Sequence, residues 1–173
     1  MGKTVEGIMY KPMTISGLTV DPISNSPIVI LKEIDGEHTL PIWIGLLEAT
    51  AIASEMEGIK FSRPMTHDLL KNMMEMVHAE VTKIEVNDLK DNTYYALIHF
   101  KQGEKVMSID ARPSDALALS LRAKAPIFAK EEVIQESKRI TVKRNLSGGS
   151  EEENNWDDIL ENLDPEDFGK YKM

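Results

Sequence analysis

Apolar and polar residues follow one another along this chain in short runs, punctuated at regular intervals by turn chemistry. Met13 to Val20 holds a β-prone stretch, Ile15 to Val20, interrupted by Gly17. Asp21-Pro22 and Asn25-Ser26-Pro27 are turn sequences. Ile28 to Ile34 reads as an apolar strand and His38 to Ile44 as its return. Asp35-Gly36 between them is the dipeptide that type I′ hairpins prefer, because both central residues need positive φ. After Gly45 a helix runs to about Glu57, with Ala49, Ile52, Ala53 and Met56 on one face. Gly58 stops it, and Ile59 to Phe61 is a short extended piece. A second helix, Met65 to Val77, is expected to take Thr66 as N-cap, to carry Asp68 in its first turn and to bury Leu69, Leu70, Met73, Met76 and Val77. Three strands follow: Val81 to Leu89, Tyr94 to Lys101 and Lys105 to Ala111. Pro113 opens a helix that runs to about Ala123. Ala125 to Phe128 reads as a short strand, Lys130 to Glu136 as one or two helical turns, and Ile140-Thr141-Val142 as an edge strand.

The stretch from Val29 to Phe61 recurs without a gap from Ala96 to Phe128, 67 residues later. Gly36 falls on Gly103, Glu37 on Glu104, Ile42 on Ile109, Glu48 on Asp115, Ala49 on Ala116, Ile52 on Leu119 and Phe61 on Phe128. The expected fold is α+β: two pseudo-symmetric repeats, each of three strands and a helix, joined by the Met65–Val77 helix around a mixed or antiparallel sheet. The two acid-bearing turns, at Glu48 and Asp115, then become equivalent positions.

A hydrophobic content of 42% in 173 residues suffices for the core of one domain. No apolar run is long enough to cross a membrane, the first residues lack a signal-peptide pattern, and there is no cysteine. A cytoplasmic protein is the simplest expectation. The net charge of −9 is uneven: the segment from Leu146 onward carries −7, leaving −2 for the rest. The body therefore lacks the broad basic footprint of non-specific nucleic-acid binders. Residues 1–144 read as the domain and 145–173 as an acidic tail. Ser147-Gly148-Gly149-Ser150 is a linker, and Trp156, Ile159, Leu160 and Leu163 lie at helical spacing. That tail reads either as a solubilising extension or as a docking peptide for a protein partner.

The segment richest in chemistry is Asp110-Ala111-Arg112-Pro113-Ser114-Asp115. Two carboxylates a short turn apart can hold a divalent cation, Arg112 can grip a phosphate with two parallel N–H bonds, and the helix start offers free N–H groups to an anion. These are the parts of a metal-assisted phosphodiesterase. The same residues also make an ordinary helix start with an Arg–Asp pair. His67 and Asp68 suit a general base or metal ligand, or an ordinary helix cap. His38, His78 and His99 share no local pattern with acids. Phosphate loops, dinucleotide-binding glycine patterns, nucleophile elbows and zinc spacings are absent.

Three segments in order, Leu40-Pro41-Ile42-Trp43-Ile44-Gly45 with Glu48-Ala49, Arg63-Pro64-Met65-Thr66-His67-Asp68-Leu69, and Asp110-Ala111-Arg112-Pro113-Ser114-Asp115-Ala116, resemble the bifunctional nuclease family of bacteria, archaea and plants. The likeness covers roughly Gly17 to Lys143. It implies a compact α+β domain, activity on DNA and RNA, and a candidate site of Glu48, Arg63, His67, Asp68, Asp110, Arg112 and Asp115. In the mechanism expected on this basis, Asp110 and Asp115 hold Mg²⁺ or Mn²⁺, with Glu48 beside them. Arg112 and Arg63 bind phosphate, and His67 moves a proton. The alternative is a non-catalytic oligomeric module whose acidic tail recruits a partner. In either case a homo-oligomer is expected, because open sheet edges are usually paired or covered.

Overall fold

The structure, a computed structural model, describes residues 4–5 and 8–146. Its elements are β1 (Thr4–Val5), β2 (Ile8–Val20), β3 (Pro27–Glu33), β4 (Thr39–Trp43), α1 (Leu46–Met56), α2 (Thr66–Met76), β5 (Ala79–Lys90), β6 (Thr93–Gln102), β7 (Lys105–Ala111), α3 (Pro113–Ala123), β8 (Ile127–Lys130) and α4 (Glu131–Leu146). The fold is α+β. Seven strands form an open mixed sheet in the order β4-β3-β2-β8-β5-β6-β7, with β1 paired to the start of β2. All ladders are antiparallel except β5 with β8. The short strand β8 therefore sits at the centre and joins two antiparallel three-strand units, β2-β3-β4 and β5-β6-β7.

One continuous core crosses that junction. Leu31, Leu40 and Ile42 come from the first unit, Ile84, Val86 and Ile98 from the second, Ile127 and Ala129 from β8, and Leu117, Leu119 and Ile134 from α3 and α4. Helices α1 and α3 pack against each other, joined by the Arg112–Glu48 pair and by the Arg122 bond to the Ala51 carbonyl, and Ala49, Ala53, Ala116 and Ala118 are all buried.

Both units run hairpin then helix, yet the expected pseudo-symmetry is not reproduced in detail. The loop from Glu33 to Thr39 is five residues long and Gly36 is not at positive φ, so Asp35-Gly36 does not form a two-residue hairpin turn. Its partner Gly103 does sit at φ 57, in a two-residue loop between Gln102 and Lys105. The turn with two consecutive positive φ values is Asp91-Asn92, joining Lys90 to Thr93. Phe128 lies in β8, whereas Ile59 to Phe61 forms no strand. The centre of the sheet has room for one such strand, and β8 takes it.

Two further expectations are corrected. Ile140-Thr141-Val142 is not an edge strand: α4 continues through it to Leu146, anchored by buried Val133, Ile134 and Ser137 one turn apart. Helix α2 buries none of its residues fully. Leu69, Leu70, Met73, Met76 and Val77 all point outward, Met76 at 80% exposure. The side of α2 turned to the protein is polar, carrying His67, Asp68 and Lys71 beside Met74. The helix is held by ion pairs rather than by its apolar stripe. The tail from residue 147 lies outside the described residues.

Three helices stop at a left-handed residue: Gly58 after α1, His78 after α2 and Lys124 after α3. At the first, Ile59 N–H reaches Ser54 O at 2.9 Å; at the third, Ala125 N–H reaches Ser120 O at 3.0 Å. This closure favours glycine. Lys124→Gly is therefore expected to stabilise the protein by about 0.5–1 kcal/mol, read as a rise of roughly 2–4 °C in melting temperature. An unchanged or lower melting temperature would count against the strain assigned to Lys124.

Candidate functional site at three converging helix starts

The N-termini of α1, α2 and α3 come together, and each carries a carboxylate at its third position: Glu48, Asp68 and Asp115. An acid there complements the helix dipole and the unpaired N–H groups of the first turn. All three N-caps, Gly45, Met65 and Arg112, are extended and have no side-chain cap of their own. Thr66 is thus the first helical residue, not the cap, because Asp68 reaches back and accepts the Met65 N–H at 2.9 Å. At Gly45 a β-carbon would overlap the Glu48 carboxylate, which folds back over the bare backbone.

Two arginines divide these acids between them. Arg112 donates from Nε to Asp115 Oδ2 at 2.7 Å and from Nη2 to Asp115 Oδ1 at 3.1 Å. Its Nη1 donates to Glu48 Oε1 at 2.7 Å. This guanidinium thus bridges the two repeat-equivalent acids, and its side chain remains 65% exposed. His67 joins the cluster from α2, with Nε2 3.1 Å from Asp115 Oδ1. Behind it, Arg122 is 4% exposed and donates from Nε to Asp68 Oδ1 at 2.5 Å. Its Nη1 donates to the carbonyls of Ala51 at 3.0 Å and Ala118 at 2.9 Å. Arg122 therefore ties α1, α2 and α3 together from inside, while Arg112 does so at the surface.

Burial opposes ionisation of Asp115, but the hydrogen bonds from Arg112 and His67 outweigh it and hold the carboxyl below its ordinary value of 3.8. Asp68 is lowered in the same way, burial being outweighed by the Met65 N–H and Arg122. Asp115 and then Glu48 hold the Arg112 proton more tightly than usual. A pocket of about 300 Å³ opens beside the cluster, lined by Leu47, Phe61, Met65, His67, Arg112 and Asp115 among others. A larger cleft of about 960 Å³ lies on the other side of the Glu48–Arg112 pair.

The structure thus brings together Glu48, His67, Arg112 and Asp115 from the expected set. Asp68 sits behind them in the Arg122 pair. Arg63 lies in the exposed loop before α2 and lines a separate pocket of about 270 Å³ with Asp68 and Arg122. Asp110 is apart: it pairs with Leu97 across β7 and β6, and strand alternation turns it away from the face that holds Ala96 and Ile98. Asp110 thus lies on the side of the sheet away from the core, whereas α3, which carries Asp115, packs on β5 and β6 over the core. The acids that do converge, Glu48 and Asp115, hold a guanidinium, and no group of three His, Asp or Glu side chains among the described residues is arranged for a metal ion. As arranged, this donor set fits Arg112 rather than a divalent cation. Sequence reasoning passed over Arg122, whose spacing from Asp115 by two helical turns was its only signal.

Residues 29–141 match the bifunctional nuclease domain. The chain belongs to that family. It is 32% identical over 159 residues to an uncharacterized protein of Mycobacterium tuberculosis, covering 89% of this chain and 95% of that one. It is 30% identical over 103 residues to bifunctional nuclease 2 of Arabidopsis thaliana, covering 57% of this chain and 31% of the plant protein. Against bifunctional nuclease 2 of Oryza sativa subsp. japonica the figures are 29% over 115 residues, 64% and 35%. The chain thus spans about a third of these plant relatives. No helix among the described residues is long and apolar enough to cross a membrane.

Two outcomes follow from the charge arrangement. Asp68→Asn leaves the buried Arg122 without its counter-charge. The expected cost is about 2 kcal/mol, below the usual ~3–5 for a fully buried pair because Asp68 is partly exposed. Asp68 and Asp115 have lowered folded-state pKa values. Their stabilisation is therefore fully present above the ordinary value of 3.8 and is lost as pH falls through the lower folded values. Melting temperature measured against pH should fall steeply below about pH 4 in the native protein, and less steeply in Asp68→Asn. Parallel curves would remove Asp68 from this role.

Proposed function

We propose that this chain is a nuclease whose active centre is the Glu48–Arg112–Asp115–His67 cluster. The observation that supports this most is an exposed arginine held rigid by two carboxylates, with a carboxylate-oriented histidine alongside, in a member of the bifunctional nuclease domain family. Arg112 retains outward N–H groups for the non-bridging oxygens of a phosphodiester and for the charge that grows on them in the transition state. His67, donating from Nε2 to Asp115, presents Nδ1 as the base. Water attacks phosphorus, its proton passes to His67, and the P–O bond to the leaving sugar oxygen breaks. That oxygen then takes up the proton, giving one phosphate monoester and one alcohol. Asp115 fixes the imidazole tautomer and stabilises its cationic form, in the manner of the acid in a catalytic triad. Metal assistance, expected from the sequence, would need Arg112 to leave Glu48 and Asp115 free for a cation.

The experiment is cleavage of labelled DNA and RNA by the purified protein in Mg²⁺, Mn²⁺ or EDTA. His67→Ala is expected to lower kcat by about 10²–10⁴. Arg112→Lys should also lower it, since a point charge loses the two-pronged geometry. Both variants should melt within a few degrees of the native protein. Cleavage per folded molecule that is unchanged in both would reject the cluster. Activity abolished by EDTA and restored by Mn²⁺ would reject the metal-free arrangement.

The outward apolar stripe of α2 favours a second reading, an oligomeric binding module, because monomers seldom expose contiguous apolar patches beyond a few hundred Å². In that case Met73→Glu should convert an assembly into a 19.5 kDa monomer by light scattering. A native protein already at that mass at all concentrations would remove this reading.

A further inference from the structure

The large cleft shares one wall with the proposed centre, the Glu48–Arg112 pair, and the chemistry of its other walls differs from that of the centre. Trp43, at the end of β4, and Tyr94, at the start of β6, come from the two halves of the sheet, with Ile44, Leu89 and Pro113 around them. Each aromatic residue has its polar end tied down. Trp43 donates from Nε1 to Asp21 Oδ2 at 2.8 Å, and the Tyr94 hydroxyl lies 2.8 Å from Ser137 Oγ. Asp21 is itself fixed by accepting the Ile23 N–H and the Ser24 hydroxyl. The rings are therefore anchored at their edges beside a cleft of about 960 Å³, near the upper end of the ~300–1,000 Å³ of small-molecule sites. Asn92, Thr93 and Ser114 add amide and hydroxyl groups able to meet base edges.

The charges narrow the choice of ligand. Among the described residues of the lining, Arg112 is the one basic side chain, against the acids Glu48, Asp91 and Glu136. Such a cleft repels a run of phosphates and admits one, at the Arg112 end. Bases inside a duplex keep their faces stacked on each other, so only an unpaired base can offer a face to an anchored ring.

We infer that this cleft binds an unpaired nucleobase of a single-stranded nucleic acid, stacked against Trp43 or Tyr94, with the adjoining phosphate at Arg112. The inference rests on the nuclease reading above and adds to it the substrate class: single strands or unpaired ends, held by one base and one phosphate rather than by an extended backbone.

The test uses the full chain with a fluorescein-labelled single-stranded phosphorothioate decamer and a blunt duplex of the same sequence. Binding is followed by anisotropy as a function of salt. The single strand should bind at least about tenfold more tightly than the duplex. Trp43→Leu should weaken single-strand binding by about tenfold, the loss typical of one stacked base. Trp43→Phe, which retains a ring, should lose less, and Tyr94→Leu gives an independent second variant. Thermal melting confirms that each variant is folded. The log–log salt slope should be about −0.7, the value for one phosphate contact on a single strand. Equal affinity for single strand and duplex, a slope of about −4 or steeper, or full affinity in both folded leucine variants would overturn the inference. A cleavage assay on the unmodified oligonucleotides separates the two claims. Single-strand binding through Trp43 without any cleavage rejects the catalytic reading alone. Cleavage with normal KM in folded Trp43→Leu and Tyr94→Leu rejects the cleft alone.

Discussion

The buried guanidinium of Arg122 is the constraint on which the arrangement of the site depends. A charge 4% exposed is costly to desolvate unless its hydrogen bonds are met. Arg122 meets its need with one partner on each of three helices: Asp68 on α2, Ala51 on α1 and Ala118 on its own helix α3. That demand holds α2 against the body by its polar side and leaves the apolar stripe of α2 facing outward. It also sets His67, the residue before Asp68, within reach of Asp115. Arg122 thus ties the helices together within the protein, and the proposed chemistry falls to Arg112 at its surface.

The apolar core supports this arrangement in a different way. Strand β8 inserts between the two antiparallel units and makes their cores one, and α1 and α3, one from each unit, pack together over it. The sequence repeat then has a chemical consequence. Glu48 and Asp115, equivalent positions 67 residues apart, end on either side of one guanidinium. Neither acid alone defines the site. The pair creates a rigid cationic group bounded by two clefts of unlike character, one next to His67 and one walled by aromatic rings.

Most elements were legible because their signals are local. Pro113 at a helix start, Gly58 at a helix end and the alternating strands need only neighbours in sequence. The failures are all matters of tertiary context. The stripe Leu69–Val77 has the period of a buried face, but periodicity states which residues share a side and not which way that side turns. Ile140 to Val142 is β-prone, yet a helix already anchored at Val133, Ile134 and Ser137 carries through it. Asp110 and Asp115 are close along the chain, yet the strand ends between them and alternation separates their directions. His99 has no acid nearby in sequence, yet the β5–β6 ladder sets it 2.7 Å from Glu85. Of the candidate residues, the motif segments led to Glu48, His67, Arg112 and Asp115. Arg122 and the Trp43–Tyr94 cleft were hidden because Asp68 lies 54 positions from Arg122 and Ser137 lies 43 from Tyr94, and because Trp43 and Tyr94 come from opposite halves of the sheet.

The chemistry proposed above resides where three helix starts converge and not at the strand end beside it. The most direct measurement is the cleavage rate per folded molecule of Asp115→Asn and Asp110→Asn under identical conditions. Both changes remove one negative charge with little change of shape, five residues apart in the chain. A loss of at least about 10²-fold is expected in Asp115→Asn, as for removal of a group that orients the catalytic base, and a rate near that of the native protein in Asp110→Asn. An equal loss in both variants, or a loss confined to Asp110→Asn, would contradict it.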